Sequence, residues 1–546
     1  MVVTAHPLAT RAALDMLAAG GAPIDAAIAA QMVLGLVEPQ SSGIGGGALA
    51  MLWDAQRREL SSWDGLAAAP SRATPGLAVD VDGSKLDNTA AQRGGRSVGV
   101  PGTLALLETL HQRHGKLPWP SLFAPAIALA EQGFAMPPYL HRVLSAPGAA
   151  ADHAQMRALY VDERGKVLPV GATVRNAAYA RTLRAVAELG AQGWLAAGAA
   201  RAIVQAAQGG YRASLMNEAD LLAYRATPRE PLCAPFLRWR VCMMGPSSYG
   251  GVAVLQMLQM LQMLQDRVLV DGSDRATAAA FDFDDPAFVH LYVEAGRLAQ
   301  ADRLRHVGDP AFVTVPTTEL LSPAYLHQRA LTIQSTHAAR SVAPGRLPAR
   351  GIDAPAEAEL ASSNTSQIAI VDARGNALSI TTTINLNFGS RLMVDGFVLN
   401  NAMSNFAATP APGQTRANQM APLRRPTSSM APTMVFDAAG TPVVVGGSAG
   451  GGQIVDYIAQ SLIEMLARDA TPAQALARGH VSTAVAGSVQ LEKGSAAARL
   501  APALTALGHK VEVIDMTSGL GFIKRVAPQA WIGAADPRRD GVALGQ

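Results

Sequence analysis

Aromatic residues make up only 5% of this 546-residue chain, and cysteine occurs twice, as Cys233 and Cys242. At 49% hydrophobic overall, the chain has material for a large core, but one built from Ala, Leu, Val and Met rather than stacked rings. Charge of one sign is also lacking. The net charge is +3 and no Lys/Arg cluster interleaves with aromatics, which argues against a nucleic-acid partner. No apolar run reaches the roughly eighteen residues of a membrane-spanning helix, so no membrane partner is expected. The start, Met1-Val2-Val3-Thr4-Ala5-His6-Pro7, lacks the basic and apolar regions of a secretion signal and predicts a cytoplasmic protein. A truncated start would leave the same pattern in a periplasmic one. Neither cysteine stands in a metal-ligand spacing. They flank Ala234–Trp239, and a turn there would set them opposite each other; without an export signal, two reduced thiols are expected.

What is present begins with helices. Residues 7 to 19 carry an apolar stripe (Leu8, Ala12, Leu14, Met16, Leu17) stopped by Gly20-Gly21, and Pro23-Ile24-Asp25 opens an Ala-rich helix to about Leu36. Gly43-Ile44-Gly45-Gly46-Gly47-Ala48 satisfies the spacing of a dinucleotide loop. That fingerprint needs a strand directly before it, and Glu38-Pro39-Gln40-Ser41-Ser42 stands there instead, so no cofactor is read. A helical region runs to about residue 225. The helix after Met244–Gly251 contains Leu255-Gln256-Met257 and three exact or near copies. A three-residue unit does not match the 3.6 period, so the repeat reads as gene slippage rather than a partner-binding stripe. The charges between Glu294 and Arg303 read as buried ion pairs, and 335–363, without periodicity, as an exposed connection.

That connection leads to the most informative stretch. Thr365-Ser366-Gln367-Ile368-Ala369-Ile370-Val371 and Ala377-Leu378-Ser379-Ile380-Thr381-Thr382-Thr383 flank Ala373-Arg374-Gly375-Asn376, which predicts a hairpin. Thr381, Thr383 and Asn385 fall on one face of its second strand. Then follow Asn387-Phe388-Gly389-Ser390, Leu399-Asn400-Asn401-Ala402-Met403-Ser404-Asn405-Phe406, Arg425-Pro426-Thr427-Ser428-Ser429 and Gly446-Gly447-Ser448-Ala449-Gly450-Gly451. In content, order and spacing this succession resembles the γ-glutamyltranspeptidase family of N-terminal-nucleophile hydrolases, from near Val2 to Ala535-Asp536-Pro537-Arg538.

The resemblance implies an α+β fold, a four-layer αββα sandwich with Thr365 at the end of a central strand and Gly43–Ala48 as a structural turn into a strand from Ala48 to Trp53. It implies self-cleavage between Asn364 and Thr365. Segment 1–364 would form a large subunit and 365–546 a small one, intertwined in one domain. A threonine hydroxyl is a weak nucleophile and needs a base, which the freed α-amine of Thr365 would supply. Thr383 would hold Thr365 in register, and Gly450 and Gly451 would present backbone N–H groups to the oxyanion. Ser428 and Ser429 would bind a substrate carboxylate and Asn385 a polar group beside it. No metal or organic cofactor is implied. The partners would be a small-molecule amide and the two subunits of one precursor, with room for a homo-oligomer of that heterodimer.

Two departures bear on substrate. Aligning Ala69-Pro70 with the family's Asp-x-Arg-Glu-x-x-Pro-like stretch puts Leu66 where an arginine grips the glutamyl α-carboxylate. Ala402, Ser404 and Asn405 stand where amide and acidic groups hold the α-amine. Arg416, Arg424 and Arg425 are candidate replacements for the lost cation. Ala407–Thr427 has no aromatic residue and four prolines, which predicts a lidless, open cleft. The expected activity is hydrolysis or transfer of the γ-glutamyl group of glutathione-like amides through an acyl-enzyme on Thr365. The alternative is an acylase on a glutaryl, cephalosporin-type or small amidated acid; the third reading is an inactive structural homologue.

Overall fold

Every strand of the two main sheets pairs antiparallel with its neighbours, and both sheets draw on both halves of the chain. The computed structural model describes residues 1–79, 84, 86–147, 154–209, 211–270, 281–347, 364–484 and 487–545. The predicted hairpin is the centre of the first sheet. Ser366–Val371 pairs with Ala377–Thr383 in the register Thr381↔Gln367 and Thr382↔Ser366. Its turn is closed by Asp372, whose Oδ1 accepts from the Arg374 and Asn376 amides at 2.8 and 2.9 Å, with Gly375 at φ 82°. Outward on one side lie Val2–Thr4 and Val542–Leu544; on the other lie Gly47–Asp54, Glu59–Gly65 and Thr227–Arg229.

The second sheet runs Ala530–Ala535, Gly521–Ala527, Pro442–Gly447, Thr433–Phe436, Trp239–Met243, Leu232–Phe236. Val3, Met51, Ala369 and Val371 from one sheet meet Met434, Phe436, Val445 and Ile523 from the other in a dry layer. Trp53 and Phe436 pack edge to face in it, 5.0 Å between centroids. Alternation along each strand sends the other side chains outward against helices. Pro7–Ala18 and Pro23–Val37 cover the first sheet, and Gly250–Val270 and Ile454–Ala467 the second. The architecture is the four-layer αββα sandwich. All fifteen residues of Pro23–Val37 are buried, which its run of small side chains allows.

The Gly-rich turn proves to be a matter of close approach. A Cβ on Gly46 would lie 2.1 Å from the Thr383 carbonyl oxygen, and one on Gly47 2.6 Å from the Ala67 nitrogen, so neighbouring backbone requires glycine at both positions. The Leu-Gln-Met helix is core, not a docking stripe. Leu255, Met257, Leu258, Met260 and Leu261 are buried, and Gln256 Nε2 donates to the Leu320 carbonyl at 3.0 Å. The ion-pair expectation is met by Glu294–Arg297 at 2.6 Å, while Asp302 pairs with Arg329 at 2.9 Å. The cysteine expectation is corrected. Leu232–Phe236 and Trp239–Met243 form a tight hairpin that sets Cys233 directly opposite Cys242, and the two are joined in a disulfide rather than held as reduced thiols. Residues 335–347 form the described part of the predicted connection, and 348–363 lie outside the described residues. Among the described residues no helix is long and apolar enough to cross a membrane.

Phe436→Ala removes a fully buried ring from the layer between the sheets. It should cost about 3–5 kcal/mol, read as a lowered urea midpoint; a midpoint unchanged from wild type would contradict the packing described.

Candidate active site

The intact Asn364–Thr365 peptide lies where the first strand of the hairpin begins, and both residues are buried. Two hydroxyls converge on its carbonyl. Thr365 Oγ1 and Thr383 Oγ1 each donate to the Asn364 oxygen at 2.6 Å. The Asn385 amide in turn donates to Thr383 Oγ1 at 2.8 Å, leaving that hydroxyl's proton for the carbonyl. The Asn364 side chain is itself placed: its Oδ1 accepts from the Thr365 amide at 3.0 Å and its Nδ2 donates to Asn387 Oδ1. Asn364 N–H donates to the Asn385 carbonyl at 3.1 Å. Behind the nucleophile candidate, Arg539 Nη1 donates to the Thr365 carbonyl at 2.8 Å. The sequence reading gave Asn387 no role and did not single out Arg539, because their contacts span 23 and 174 residues of chain, respectively.

Local chemistry explains the register. Thr383 is the last residue of its strand, and there it pairs with Gly47, whose missing side chain lets the Leu66–Ala67 backbone pass close by. Inside the sandwich, Thr381 Oγ1 donates to Gln367 Oε1 at 2.7 Å, Gln367 Nε2 to Ser379 Oγ at 2.9 Å, and Ser379 Oγ to the Gly446 carbonyl at 2.7 Å. This chain of buried hydrogen bonds ties the hairpin to the strand leading to Ser448–Gly451. Gly450 takes φ 131°, and a Cβ there would meet the Tyr457 ring at 2.5 Å. Ser429 Oγ donates to the Gly451 carbonyl at 2.6 Å, so this serine holds the glycine turn. Ser428 Oγ accepts from the Met430 amide at 3.2 Å.

The expected substrate contacts divide into two groups. Asn385 Nδ2 donates to Ser404 Oγ at 2.8 Å and to the Asn401 carbonyl at 3.2 Å, while Asn385 Oδ1 and Asn405 Oδ1 are buried acceptors without hydrogen-bond partners among the described residues. Leu66 is 5% exposed and packs among apolar side chains. Its amide donates to Asp64 Oδ1 at 2.9 Å and its carbonyl accepts from Tyr224 at 2.6 Å. Arg425 already has acidic partners. It pairs with Asp64 at 3.4 Å, alongside Arg229, which bridges Asp64 at 3.0 Å and Asp309 at 3.2 Å. Arg424 stacks over Phe312 and donates to the Ala417 carbonyl, with burial lowering its pKa; Arg416 donates to the Thr409 carbonyl at 2.8 Å. In the uncut chain Thr365 is 2% exposed, beneath its own preceding peptide.

One group among the described residues has the composition of a metal site: His290, Glu294 and His509. His290 Nδ1 and His509 Nε2 are 2.7 Å apart and share one hydrogen bond, and His290 Nε2 meets the Gln334 carbonyl at 2.7 Å. The ring nitrogens of His290 are therefore occupied by protein partners.

Two stacked antiparallel sheets between helical layers, with a threonine heading a central strand, define the fold of the N-terminal-nucleophile hydrolases. The chain belongs to the γ-glutamyltranspeptidase family, whose model (Gamma-glutamyltranspeptidase) matches residues 9–546. It is 30% identical over 561 residues to a glutathione hydrolase proenzyme of Bacillus subtilis (strain 168), covering 100% of this chain and 91% of that protein. It is 33% identical over 554 residues to the acylase ACY 1 proenzyme of Pseudomonas sp. (strain SE83), covering 100% and 93%. Among solved structures, the cephalosporin acylase from Bacillus halodurans superposes with a TM-score of 0.82 at 26% identity, over 100% of this chain and 95% of that one. The γ-glutamyltranspeptidase of Helicobacter pylori gives 0.57 at 28% identity, over 62% and 93%. Membership places the chain among hydrolases.

Asp64 is fully buried beneath two guanidinium groups. Asp64→Asn should cost about 3–5 kcal/mol by leaving buried charge uncompensated, measured as a fall in the thermal midpoint; an unchanged midpoint would show that these arginines do not depend on Asp64.

Proposed function

We propose that this protein is a self-cleaving amidohydrolase with Thr365 as nucleophile. The observation that carries the reading is the convergence of the Thr365 and Thr383 hydroxyls on the Asn364 carbonyl oxygen. A carbonyl polarised by Thr383 is prepared for addition of the neighbouring hydroxyl. Thr365 Oγ1 adds to the Asn364 carbonyl carbon, the C–N bond breaks, and the nitrogen takes up the proton lost by the hydroxyl. The amine of Thr365 is then free, and water hydrolyses the resulting ester to the Asn364 carboxylate and the regenerated Thr365 hydroxyl. Segments 1–364 and 365–546 then form the subunits of one intertwined domain. The proenzyme names of the B. subtilis and Pseudomonas relatives support this order of events.

In the mature enzyme the Thr365 amine takes the proton from its own hydroxyl as the latter attacks a substrate amide. The backbone N–H groups of Gly450 and Gly451 receive the oxyanion, on a turn held by Ser429. The departing amine carries away a proton and leaves an acyl-enzyme on Thr365, which water or an acceptor amine resolves.

For the acyl group, the favoured reading is a glutaryl-type or other carboxylic acid amide without an α-amino acid head. Leu66 offers no charge and Arg425 pairs with Asp64, which weakens the grip on the carboxylate of a glutaryl and of a γ-glutamyl head alike; what favours the glutaryl head is that Ser404 and Asn405 offer no acid to an α-ammonium group. The γ-glutamyl reading is favoured instead by Asn385 Oδ1 and Asn405 Oδ1, buried acceptors that an ammonium group would satisfy. Initial rates on glutaryl-p-nitroanilide and L-γ-glutamyl-p-nitroanilide, which differ only in the α-amine, separate the two. The glutaryl compound should be the better or equal substrate, and a hundredfold preference for the glutamyl compound would reverse the assignment.

On a denaturing gel, wild type should resolve into two bands and Thr365→Ala should remain one. Thr383→Ala should slow cleavage by about 10²–10³. Cleavage of Thr365→Ala at the wild-type rate would refute the nucleophile.

A further inference from the structure

Ser366 follows Thr365 along the strand and therefore points from its opposite face. There its Oγ donates to Glu38 Oε2 at 2.9 Å, while the Ser42 hydroxyl approaches Ser366 Oγ at 3.1 Å. Glu38 stands just past the end of the Pro23–Val37 helix and is 1% exposed. On the other flank, Arg539 is held by the Ser518 carbonyl at 2.9 Å and the Thr517 carbonyl at 3.3 Å, and donates to the Thr365 carbonyl. A buried carboxyl and a buried guanidinium thus touch consecutive residues, Ser366 and Thr365, at the point where self-cleavage would create an amine. The self-cleavage and acyl-transfer steps described above leave both groups without a role.

We propose that Glu38 and Arg539 are positioning residues for the Thr365 α-amine, holding the Thr365–Ser366 segment from two sides and setting, by their opposite charges, the pH at which that amine can accept a proton. The inference rests on the reading of Thr365 as an N-terminal nucleophile. Among the described residues, the charged groups facing Glu38 are Arg539 and Asp540 from the C-terminal segment, with Ser366 from the strand and Ser41 from its own turn. Asp540 is itself engaged by the Tyr139 amide at 2.9 Å and faces Arg142 and Arg539. Burial pushes the Glu38 carboxyl up to about 7, with Arg539 and Ser366 holding it down against that effect. Both of its forms are therefore populated near neutral pH, where a change in its charge is felt. An anion beside the amine favours ammonium and raises its pKa; a cation favours the free base and lowers it. Removing each charge should move the amine in opposite directions, by about 0.5–1.5 pH units for charges several ångströms away at intermediate dielectric.

The test uses matured, gel-verified protein and two readouts. One is the acid limb of kcat/KM against pH on whichever anilide the wild type hydrolyses. The other, independent of substrate, is the pH dependence of Thr365 amine acylation by limiting acetic anhydride, read by mass spectrometry of the small subunit. Glu38→Gln should shift both to lower pH and Arg539→Gln to higher pH, with Glu38→Asp returning toward wild type. Ser366→Ala, which leaves the carboxyl but removes its donor and so favours its neutral form, should shift in the direction of Glu38→Gln by less, and carries the test if that variant does not mature. Rates that fall without any shift would overturn the inference and leave the two residues as packing. Failure of both Glu38→Gln and Ser366→Ala to mature, with unchanged thermal midpoints, would also overturn it and assign the cluster to self-cleavage. Failure of the wild type itself to cleave would instead sink the nucleophile reading.

Discussion

The antiparallel pairing of Ala377–Thr383 with Ser366–Val371 on one side and Gly47–Asp54 on the other is the constraint on which the site depends. It places Thr383 at the end of one strand, against the carbonyl that precedes the first residue of its neighbour. A one-residue slip would turn the Thr381 and Thr383 hydroxyls to the opposite face. Register is held by what lies on both faces of the sheet: the dry layer around Trp53 and Phe436 on one, and the Pro23–Val37 helix on the other. The buried Gln367–Ser379–Thr381 hydrogen bonds add direction that apolar contact lacks.

Because that pairing is central, elements distant in sequence converge on it. The Gly46–Gly47 turn allows backbone to pass against Thr383. Arg539, seven residues from the C-terminus, reaches the Thr365 carbonyl, and Glu38 lies across the strand from it. The strand before Gly450 is tied to the hairpin through Ser379, and Ser429 then holds the glycine turn. A nucleophile that must also be a chain terminus has few covalent restraints after cleavage. Non-covalent contacts from both subunits would then have to define its geometry, which is a physical reason for so many buried polar groups around one threonine.

Electrostatics separates the site from its surroundings. The arginines that seemed able to grip a substrate carboxylate include one, Arg425, sharing Asp64 with Arg229 in an interior network. Breaking such a network costs more than a single surface contact would return. The positions read as substrate contacts, Asn385, Ser404, Asn405 and Leu66, carry no charge, whereas Arg539 and Glu38 bring charge to Thr365 and Ser366.

Much of this was legible in the chain. The structural nature of the glycine turn was implied by the family resemblance; the hairpin followed from β-branched runs around Ala-Arg-Gly-Asn, and the first two helices from their periodicity and stops. These are local properties, set by backbone preference and side-chain alternation, and the motif succession carried the family. Other features were not local. Cys233 and Cys242 are bonded because their hairpin faces them at one register position, which outweighed an expectation drawn from the N-terminus. Arg425 could be placed among its acids, and Thr365 beneath its own preceding peptide, only once the sheets had stacked. Glu38 looked like part of a loop until folding put Ser366 on it. The sequence by itself determined which elements form and which chemistry they carry. Tertiary structure alone decided which charges are already neutralised and which groups face the nucleophile, because burial and pairing depend on segments hundreds of residues apart.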